Sequence, residues 1–304
     1  MKKLLVLGSS NIDHIAQMAV FPKAGETLHG HAYSQAYGGK GANQAVAAVK
    51  QGAAVQFISA LGQDAAGAQM LEYFAALGME IQGVQRADGP TGMAMIWLNA
   101  QGENCIVVIA GANAALDVAA VEAQAADIAG AGMLLMQLET PLEGVMRAAQ
   151  IARAHGVPVV LNPAPATDLP APLLACVDVI TPNESEAERL TGVAVLDEAS
   201  AAQAAAVLHE KGVPSVLVTL GARGVYASVR GEGRLYPAFR VEAKDTTAAG
   251  DTFNGALAAA LLRGADLPLA IREAQAAAAL SVQTIGAQPS IPEREAVERF
   301  LAAQ

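Results

Sequence analysis

The stretch AAGDTFNGALAAALLRG, residues 248–264, places Asp251 where a run of small residues turns into an Ala-rich helix pattern. Asp at a helix start is commonly an N-cap, whose carboxylate accepts a backbone hydrogen bond. The preceding residues, Ala248, Ala249 and Gly250, leave their N–H groups little covered, and stacked N–H donors at a helix start bind anions. Asp251 is therefore either a cap or a base beside an anion hole, taking a proton from an alcohol that attacks a bound phosphoryl group.

A second glycine-rich stretch, YGGKGANQA at residues 37–45, precedes another helix pattern. Its glycines, Gly38, Gly39 and Gly41, let the backbone approach a ligand closely, and Lys40 adds a positive charge. A helix start also offers free N–H groups. A flexible turn with a solvated lysine explains the same residues, so the local sequence leaves both interpretations open.

Polar residues also follow several predicted strands. Asn11 and Asp13 follow KKLLVLGS, and Glu139 ends MLLMQLE. Such side chains suit sugar hydroxyls, although Asx turns explain Asn and Asp at these positions equally well. In TPNESEAERL, Asn183 and Glu186 fit a capping box. The alternative for this pair is a place beside a phosphate-bound Mg²⁺, a cation that prefers oxygen ligands.

The segment TLGARG, residues 219–224, follows the predicted strand VPSVLV. Gly221 and Gly224 there either leave room for a nucleotide or form a hairpin into GVYASV.

The common nucleotide signatures are missing from the sequence. It has no G-x-x-x-x-G-K-[ST] string, and its first strand ends in GSSNID instead of G-x-G-x-x-G. A P-loop or dinucleotide-binding fold is therefore not supported.

The composition limits the class of protein. The 304 residues are 53% hydrophobic and 4% aromatic, with a formal charge of −10. This charge provides no basic surface for nucleic acid. No run approaches the roughly 18 apolar residues of a membrane span. Two distant cysteines, Cys105 and Cys176, favour a reducing compartment. We expect a cytoplasmic protein that binds neither nucleic acid nor membranes.

Strand patterns alternate with helix patterns along the chain, which predicts βαβ units and a mostly parallel sheet covered on both faces. DAAGAQMLEYFAALG, for example, predicts a helix with Asp64 as N-cap and Gly78 as its stop. We expect one α/β domain over residues 1–304, a three-layer α/β/α arrangement. Ligands of such sheets bind beyond the carboxyl ends of the strands.

Two segments interrupt this alternation. Residues 14–37 are turn-rich and strand-like, and residues 91–110 predict two strands around a Gln101-Gly102 turn. A sheet this small is not stable alone in water. We expect it to form a β-sheet lid over a site, to pair with a second chain, or both.

Taken together, these motifs resemble the phosphofructokinase-B family of sugar kinases. GGKGANQA matches the first family signature and DTTAAGDTFNGA the second, and the similarity runs from GSSNIDH to GAQPSIP. Within the family, NPAPA, TPNESEAE and TLGARG are most similar to members that phosphorylate D-ribose at O5 with MgATP. The resemblance implies a fold in which the lid closes over the sugar and pairs in a homodimer.

The resemblance also implies roles for individual residues. Asp251 is the catalytic base, and Ala248, Ala249 and Gly250 provide the anion hole. The sugar-binding residues are Asn11, Asp13, Gly38, Gly39, Lys40, Gly41, Asn43 and Glu139. The ATP-site residues are Asn183, Thr219, Gly221, Gly224, Gly250 and Gln275, with Glu186 on the metal–phosphate side. Gln275 stands where many relatives carry Asn or His beside the adenine.

A monovalent cation, K⁺, is the last implication. The resemblance places it between two loops, with ligands from Asp245, Thr247, Ser281, Thr284, Gly286 and Ser290.

Other interpretations of the function stay open: a kinase for another sugar or nucleoside, a non-catalytic sugar-binding regulator, and a nicotinamide oxidoreductase. The retained Gly250 and Asp251 argue against a regulator, and the missing glycine fingerprint argues against an oxidoreductase.

Overall fold

Thirteen strands and eleven α-helices form the part of the chain that the computed structural model describes, residues 2–304. The strands are β1 Leu4–Leu7, β2 Asn11–Gln17, β3 Ala32–Gly38, β4 Val55–Gly62, β5 Val84–Ala87, β6 Gly92–Leu98, β7 Asn104–Ile109, β8 Met133–Met136, β9 Val159–Leu161, β10 Val179–Ile180, β11 Ser215–Thr219, β12 Val225–Val229 and β13 Glu232–Tyr236. The helices are α1 Lys40–Lys50, α2 Ala65–Ala76, α3 Val118–Glu122, α4 Ala125–Gly130, α5 Leu142–Ala154, α6 Ala171–Leu174, α7 Glu184–Thr191, α8 Glu198–Glu210, α9 Ala249–Leu262, α10 Leu267–Ser281 and α11 Arg294–Ala302.

The larger sheet has nine strands in the order β13-β12-β11-β10-β9-β8-β1-β4-β5. All neighbours pair in parallel except β11–β12 and β12–β13, which form an antiparallel edge. The predicted mostly parallel sheet is thus confirmed. Strand order reverses at β1, whose neighbours are β4 on one side and β8 on the other. A crevice opens at such a reversal, beyond the carboxyl ends of the strands.

Helices cover both faces of this sheet, because its strands carry apolar side chains on both sides. In β1, Leu5 and Leu7 belong to a core that includes residues of α4 to α8. Leu4 and Val6 point to the opposite face, into a core with α1, α2 and α9. Within residues 2–304, no helix has both the length and the hydropathy needed to cross a membrane.

The smaller sheet has the order β3-β2-β6-β7 and forms the lid. The hairpin β6–β7 confirms the two strands predicted for residues 91–110, and Gly102 takes the positive φ of 79° that its turn requires. The first lid segment differs from the prediction of 14–37, because β2 already begins at Asn11. Asn11 and Asp13 therefore lie on a lid strand, where the chain crosses directly from β1 into the small sheet.

Local helix signals are largely reproduced. Asp64 caps α2 by accepting a hydrogen bond from Gly67 N at 2.8 Å. Asn183 and Glu186 form the predicted capping box at the start of α7. Both caps depend on residues three apart in the sequence, so the local pattern suffices to identify them.

Candidate active site

The candidate site lies at the strand-order reversal between β1 and β8. Ser9, two residues beyond the end of β1, donates from Oγ to Glu139 Oε2 at 2.6 Å, and Glu139 follows β8. The helix start after Gly39 joins this pair, since Lys40 N donates to the same carboxylate oxygen at 3.0 Å. The sheet thus brings together Glu139 and the glycine-rich loop, as expected of polar residues at neighbouring strand ends.

The start of α1 is satisfied by the protein itself. Lys40 N donates to Glu139, Gly41 N to Ser9 Oγ at 3.3 Å, and Ala42 N to Ser9 O at 2.8 Å. The expectation that this helix start offers free N–H groups is therefore wrong. Gly39 has φ 89°, and a Cβ there would lie 2.8 Å from Asn11 N, so glycine is needed to bring this loop against β2.

The start of α9 is different. Its N-cap is Ala248, at a left-handed φ of 58°, and a methyl group cannot accept a hydrogen bond. Ala249 N donates to Thr246 O at 3.2 Å, and Thr252 N to Ala248 O at 2.8 Å. Within residues 2–304, the N–H groups of Gly250 and Asp251 have no such acceptor. The open donors of this helix start therefore include Gly250 and Asp251, whereas the N–H of Ala249 is engaged in the turn.

Asp251 lies in the first turn of α9 and is not its cap, so the N-cap interpretation is wrong. Asp251 is 8% exposed, and its carboxylate accepts two hydrogen bonds from α1. Asn43 Nδ2 donates to Oδ2, and Gln44 Nε2 donates to Oδ1, each at 2.9 Å. An aspartate held by two side-chain amides, next to open N–H donors, is positioned for chemistry at that helix start.

Charge in the site is concentrated around Lys40. Burial opposes the ammonium charge, but the carboxylates of Asp251, Glu139 and Glu186 outweigh it and raise the pKa of Lys40. Burial raises the pKa of Asp251 above its ordinary value, while the Lys40 charge and the amide donors act in the opposite direction. The lysine therefore stays cationic and partly neutralises a group of buried carboxylates.

Asp13 and Asn11 face this group from the lid strand β2. Burial, then the charges of Glu139 and Asp251, raises the pKa of Asp13 to about 7. A Cβ at Gly38 would lie 2.2 Å from Asp13 Oδ2, which explains why a glycine lies against this carboxylate. Asn11 Oδ1 accepts from Asn113 Nδ2 at 2.8 Å, so the amide nitrogen of Asn11 is the end left for a ligand.

A second group of predicted residues lies at the ends of β10 and β11. Asn183 pairs with Thr219 through an isolated parallel bridge. Burial raises the pKa of Glu186, although the N–H of Asn183 and the Lys40 charge lower it. The electrostatic influence of Lys40 on Glu186 links this group to the group around Asp251. No cluster of three or more His, Cys, Asp or Glu side chains within residues 2–304 could hold a metal.

The glycines of TLGARG have different roles. A Cβ at Gly224 would lie 2.0 Å from Tyr236 O, so this glycine is required by the β-hairpin. At Gly221 and Gly250, by contrast, a Cβ would meet no atom of residues 2–304 within 4 Å beyond the neighbouring residues and backbone of its own helix. Gln275 Nε2 donates to Tyr236 O at 2.8 Å and ties α10 to β13.

The loops predicted to hold a cation do meet. Gly286 N donates to Asp245 Oδ2 at 2.8 Å, and Thr247 donates from N and Oγ1 to Asp245 Oδ1. Burial raises the pKa of Asp245, but these hydrogen bonds outweigh it and hold the pKa below its ordinary value. The hydroxyls of Ser281 and Ser290 donate to Ala278 O and Ala287 O. One carboxylate thus joins the loop before α9 to the loop after α10.

Sequence reasoning missed several polar residues of the site. These are Ser9, Gln44, Asn113, Gln137, Asn162, Thr181 and Asn254. A signal existed for four of them, because Ser9, Gln137, Asn162 and Thr181 follow buried strands in the same way as Asn11 and Glu139. Asn113 contacts Ser10 and Asn11 over more than 100 residues, and no local pattern predicts those contacts.

A buried carboxylate at an open helix start, in a sheet crevice beneath a β lid, defines a phosphotransferase acting on a small hydroxyl compound. The profile of the pfkB family carbohydrate kinases matches residues 1–294. The chain belongs to the pfkB family of carbohydrate kinases and is a sugar kinase.

Individual relatives refine this placement. The chain is 53% identical over 301 residues to a ribokinase of Haemophilus influenzae, covering 99% of this chain and 98% of the relative. It is 36% identical to a deoxyribokinase of Salmonella typhi, covering 98% of both chains. An Arabidopsis thaliana ribokinase complexed with ribose and ATP superimposes with a TM-score of 0.92 at 35% identity, covering 99% of this chain and 98% of that one.

Proposed function

We propose that this enzyme transfers the γ-phosphoryl group of MgATP to O5 of D-ribose, giving D-ribose 5-phosphate and ADP. The observation that carries the proposal is the Asp251 carboxylate, held by Asn43 and Gln44 beside the open N–H groups of α9. The similarity to ribokinases over nearly the whole chain supports ribose as the sugar.

On the sugar side, the chain offers a mixed set of donors and acceptors. Asp13 and Glu139 accept from hydroxyls, while Asn11 donates through its amide nitrogen. Gly38, Gly39 and Gly41 bring the backbone close, and Lys40 and Asn43 complete the set. Hydroxyl groups both donate and accept, so a polyol satisfies such a site where an apolar ligand would leave buried groups unpaired.

In the reaction, Asp251 accepts the proton of the attacking hydroxyl. The N–H groups of Gly250 and Asp251, with Ala248 before them, face the phosphoryl group as its negative charge shifts. A positioned general base contributes about 10²–10⁴-fold to the rate. The cation Lys40 offsets the charge that gathers among the carboxylates. MgATP, when bound, supplies the phosphoryl group and part of this neutralisation.

The nucleotide fits at the ends of β10 and β11. We assign its site to Asn183, Thr219, Gly221, Gly224 and Gly250, since open space above Gly221 and Gly250 leaves room for a ligand. Glu186 would lie on the metal–phosphate side. The described residues 2–304 lack a dense cluster of metal-ligating side chains, which suits a Mg²⁺ held mainly by phosphates and water. A contact of Gln275 with adenine stays a prediction.

A K⁺ site and a homodimer complete the proposal. The two loops joined by Asp245 carry main-chain carbonyl and hydroxyl oxygens, and such oxygens suit a large monovalent cation. We assign K⁺ to this place, with Asp245, Thr247, Ser281, Thr284, Gly286 and Ser290 as candidate ligands.

The lid carries exposed apolar residues that support pairing with a second copy. A cytoplasmic location stays a prediction.

The substrate is tested by an ATP-consumption assay with D-ribose, 2-deoxyribose, fructose and adenosine side by side. We expect the highest kcat/KM with D-ribose. The relative from Salmonella makes 2-deoxyribose the most informative competitor. A much higher kcat/KM for another compound in the panel would reassign the substrate and leave the kinase class intact.

A further inference from the structure

Gln44 is a fully buried amide that touches the base Asp251 and that the proposed reaction does not otherwise use. It is 0% exposed and makes three side-chain hydrogen bonds. Nε2 donates to Asp251 Oδ1 at 2.9 Å and to Asn162 Oδ1 at 3.0 Å. Oε1 accepts from Gln137 Nε2 at 2.7 Å. These contacts come from α9 and from the ends of β9 and β8, three elements that meet at this amide.

The orientation of the Gln44 amide is determined by groups that cannot reverse. Asn162 Nδ2 donates to the main-chain oxygen of Thr181 at 3.2 Å, and a carbonyl oxygen only accepts. Asn162 Oδ1 must therefore face Gln44, which has to present its NH₂ group. The ionised Asp251 requires the same donor. Gln137 Nε2 then donates the hydrogen bond to Gln44 Oε1, so both the NH₂ group and the oxygen of the Gln44 amide have partners.

The same network reaches the anion-hole peptide. Thr181 donates from Oγ1 to Asn254 Oδ1 at 2.6 Å, and Asn254 Nδ2 donates to Gly250 O at 2.8 Å. Hydrogen bonds thus connect the carboxylate of Asp251, through Gln44 and Asn162, to Thr181, whose hydroxyl continues the path through Asn254 to the carbonyl of Gly250. Gln44 and Asn162 each have both ends of the amide paired, and buried hydrogen bonds of this kind hold side chains in a single arrangement.

We infer that Gln44 is a positioning residue for the reaction, held by Gln137 and Asn162 so that its amide fixes the Asp251 carboxylate against the sugar hydroxyl. The inference rests on the proposed role of Asp251 as base. Asn43, the neighbouring donor, also faces the sugar site, whereas Gln44 is buried behind the base. Its role is therefore orientation of the base rather than substrate binding.

The charged groups around Asp251 come from every neighbouring element. Lys40 lies on α1, Glu139 follows β8, Asp13 lies on β2 and Glu186 lies on α7. Gln44 differs from these groups because it acts through a direct hydrogen bond that favours the ionised form of Asp251. Loss of the bond raises the pKa of the base and leaves the other charges in place.

The test is Gln44→Met, which keeps the unbranched shape and removes the donor. We expect kcat to fall about tenfold to a hundredfold, as for misplaced reacting groups, with both KM values within about twofold. The acidic limb of the pH–kcat/KM profile should move to higher pH. Introduced into Asp251→Asn, the same change should cause little further loss, because the carboxylate it orients is already gone. The matched control is Gln51→Met, which changes a buried amide at the C-cap of the same helix, where Gln51 Nε2 donates to Pro292 O at 2.8 Å.

If Gln44→Met does not fold, Gln137→Met carries the test, with a several-fold lower kcat and unchanged KM expected. A wild-type kcat and pH profile in the variant tested, with Asp251→Asn inactive, would overturn the positioning role alone. An active Asp251→Asn would instead remove the base assignment on which the inference rests. Equal losses in Gln44→Met and Gln51→Met would indicate a general packing effect and also overturn it.

Discussion

Asn43 Nδ2 donates a hydrogen bond to Asp251 Oδ2 at 2.9 Å, although 208 residues separate the two along the chain. The contact joins the glycine-rich loop to the helix start that carries the proposed base. Close packing of α1 and α9 makes it possible, because a Cβ at Gly255 would lie 2.4 Å from Gln44 O. The glycine-rich loop and the proposed base are thus held together by direct contacts between α1 and α9.

Asp251→Asn should lower kcat by about 10²-fold or more while ribose still binds, because Asn keeps the shape but cannot accept the proton. Steady-state kinetics and calorimetric titration with ribose measure the two effects. Asp266→Asn is the matched control, since Asp266 caps α10 by accepting from Leu269 N and Asn caps equally well. Near wild-type turnover in Asp251→Asn would contradict the proposed base.

Gly38→Ala should raise the KM for ribose with a smaller effect on the KM for ATP. The added Cβ would lie 2.2 Å from Asp13 Oδ2 and displace that carboxylate from the site. Gly130→Ala is the control, because a Cβ there meets no atom of residues 2–304 within 4 Å beyond the neighbouring residues and backbone of α4. If the two variants have the same KM for ribose, Asp13 does not contribute to sugar binding.

Asp13 should make the stability of the ligand-free enzyme depend on pH. Its pKa is raised from 3.8 to about 7, so the folded state binds this proton more tightly than the unfolded state. The stabilisation is therefore complete below pH 3.8 and is lost as the pH rises through 7. Between pH 5 and pH 8, Tm should fall less in Asp13→Asn than in the wild type.

The control for this measurement is Asp127→Asn, which changes an exposed aspartate. Each kcal/mol corresponds to a Tm change of about 2 °C in a protein of this size. Thermal denaturation of all three proteins in the two buffers tests the prediction. Parallel pH dependence in the wild type and Asp13→Asn would show that another group is responsible.

Turnover should be higher in K⁺ than in Na⁺ or a bulky organic cation at equal ionic strength. A cation between the loops joined by Asp245 would hold the turn that precedes α9 and so keep its N–H donors in place. Asp245→Ala should remove the K⁺ preference. Ribose-dependent rates in the three salts are the measurement, and equal rates in the wild type would exclude this activation.

The lid should mediate dimerisation through its face opposite Asp13. Register places Met95 and Val107 on one face, whereas Asp13 lies on the other. Met95 and Trp97 are each 38% exposed and Val107 is 57% exposed. Val107→Glu should therefore shift the mass measured by light scattering from dimer to monomer. Val229→Glu, at an exposed site on β12, should leave it unchanged. A monomeric wild type at high concentration would contradict the dimer.

The sequence by itself determined the features that depend on near neighbours. The alternating strands and helices, the caps at Asp64 and Asn183 and the lid hairpin all arise from residues a few positions apart. The two glycine-rich strings also identified the family. Hydrophobic periodicity and capping are local properties, so the amino-acid sequence alone is enough to identify them.

Tertiary structure decided which helix start is open. Both GGKGAN and AAGDTF present small residues before a helix, and local sequence does not distinguish them. The start at Lys40 is filled by Glu139, 99 residues away, and by Ser9. The start at Gly250 is left open, while its neighbour Asp251 is held by Asn43 and Gln44 over 208 and 207 residues. Partners brought together by the parallel sheet and the packing of α1 on α9 determine which donors are free, and no local pattern specifies those contacts.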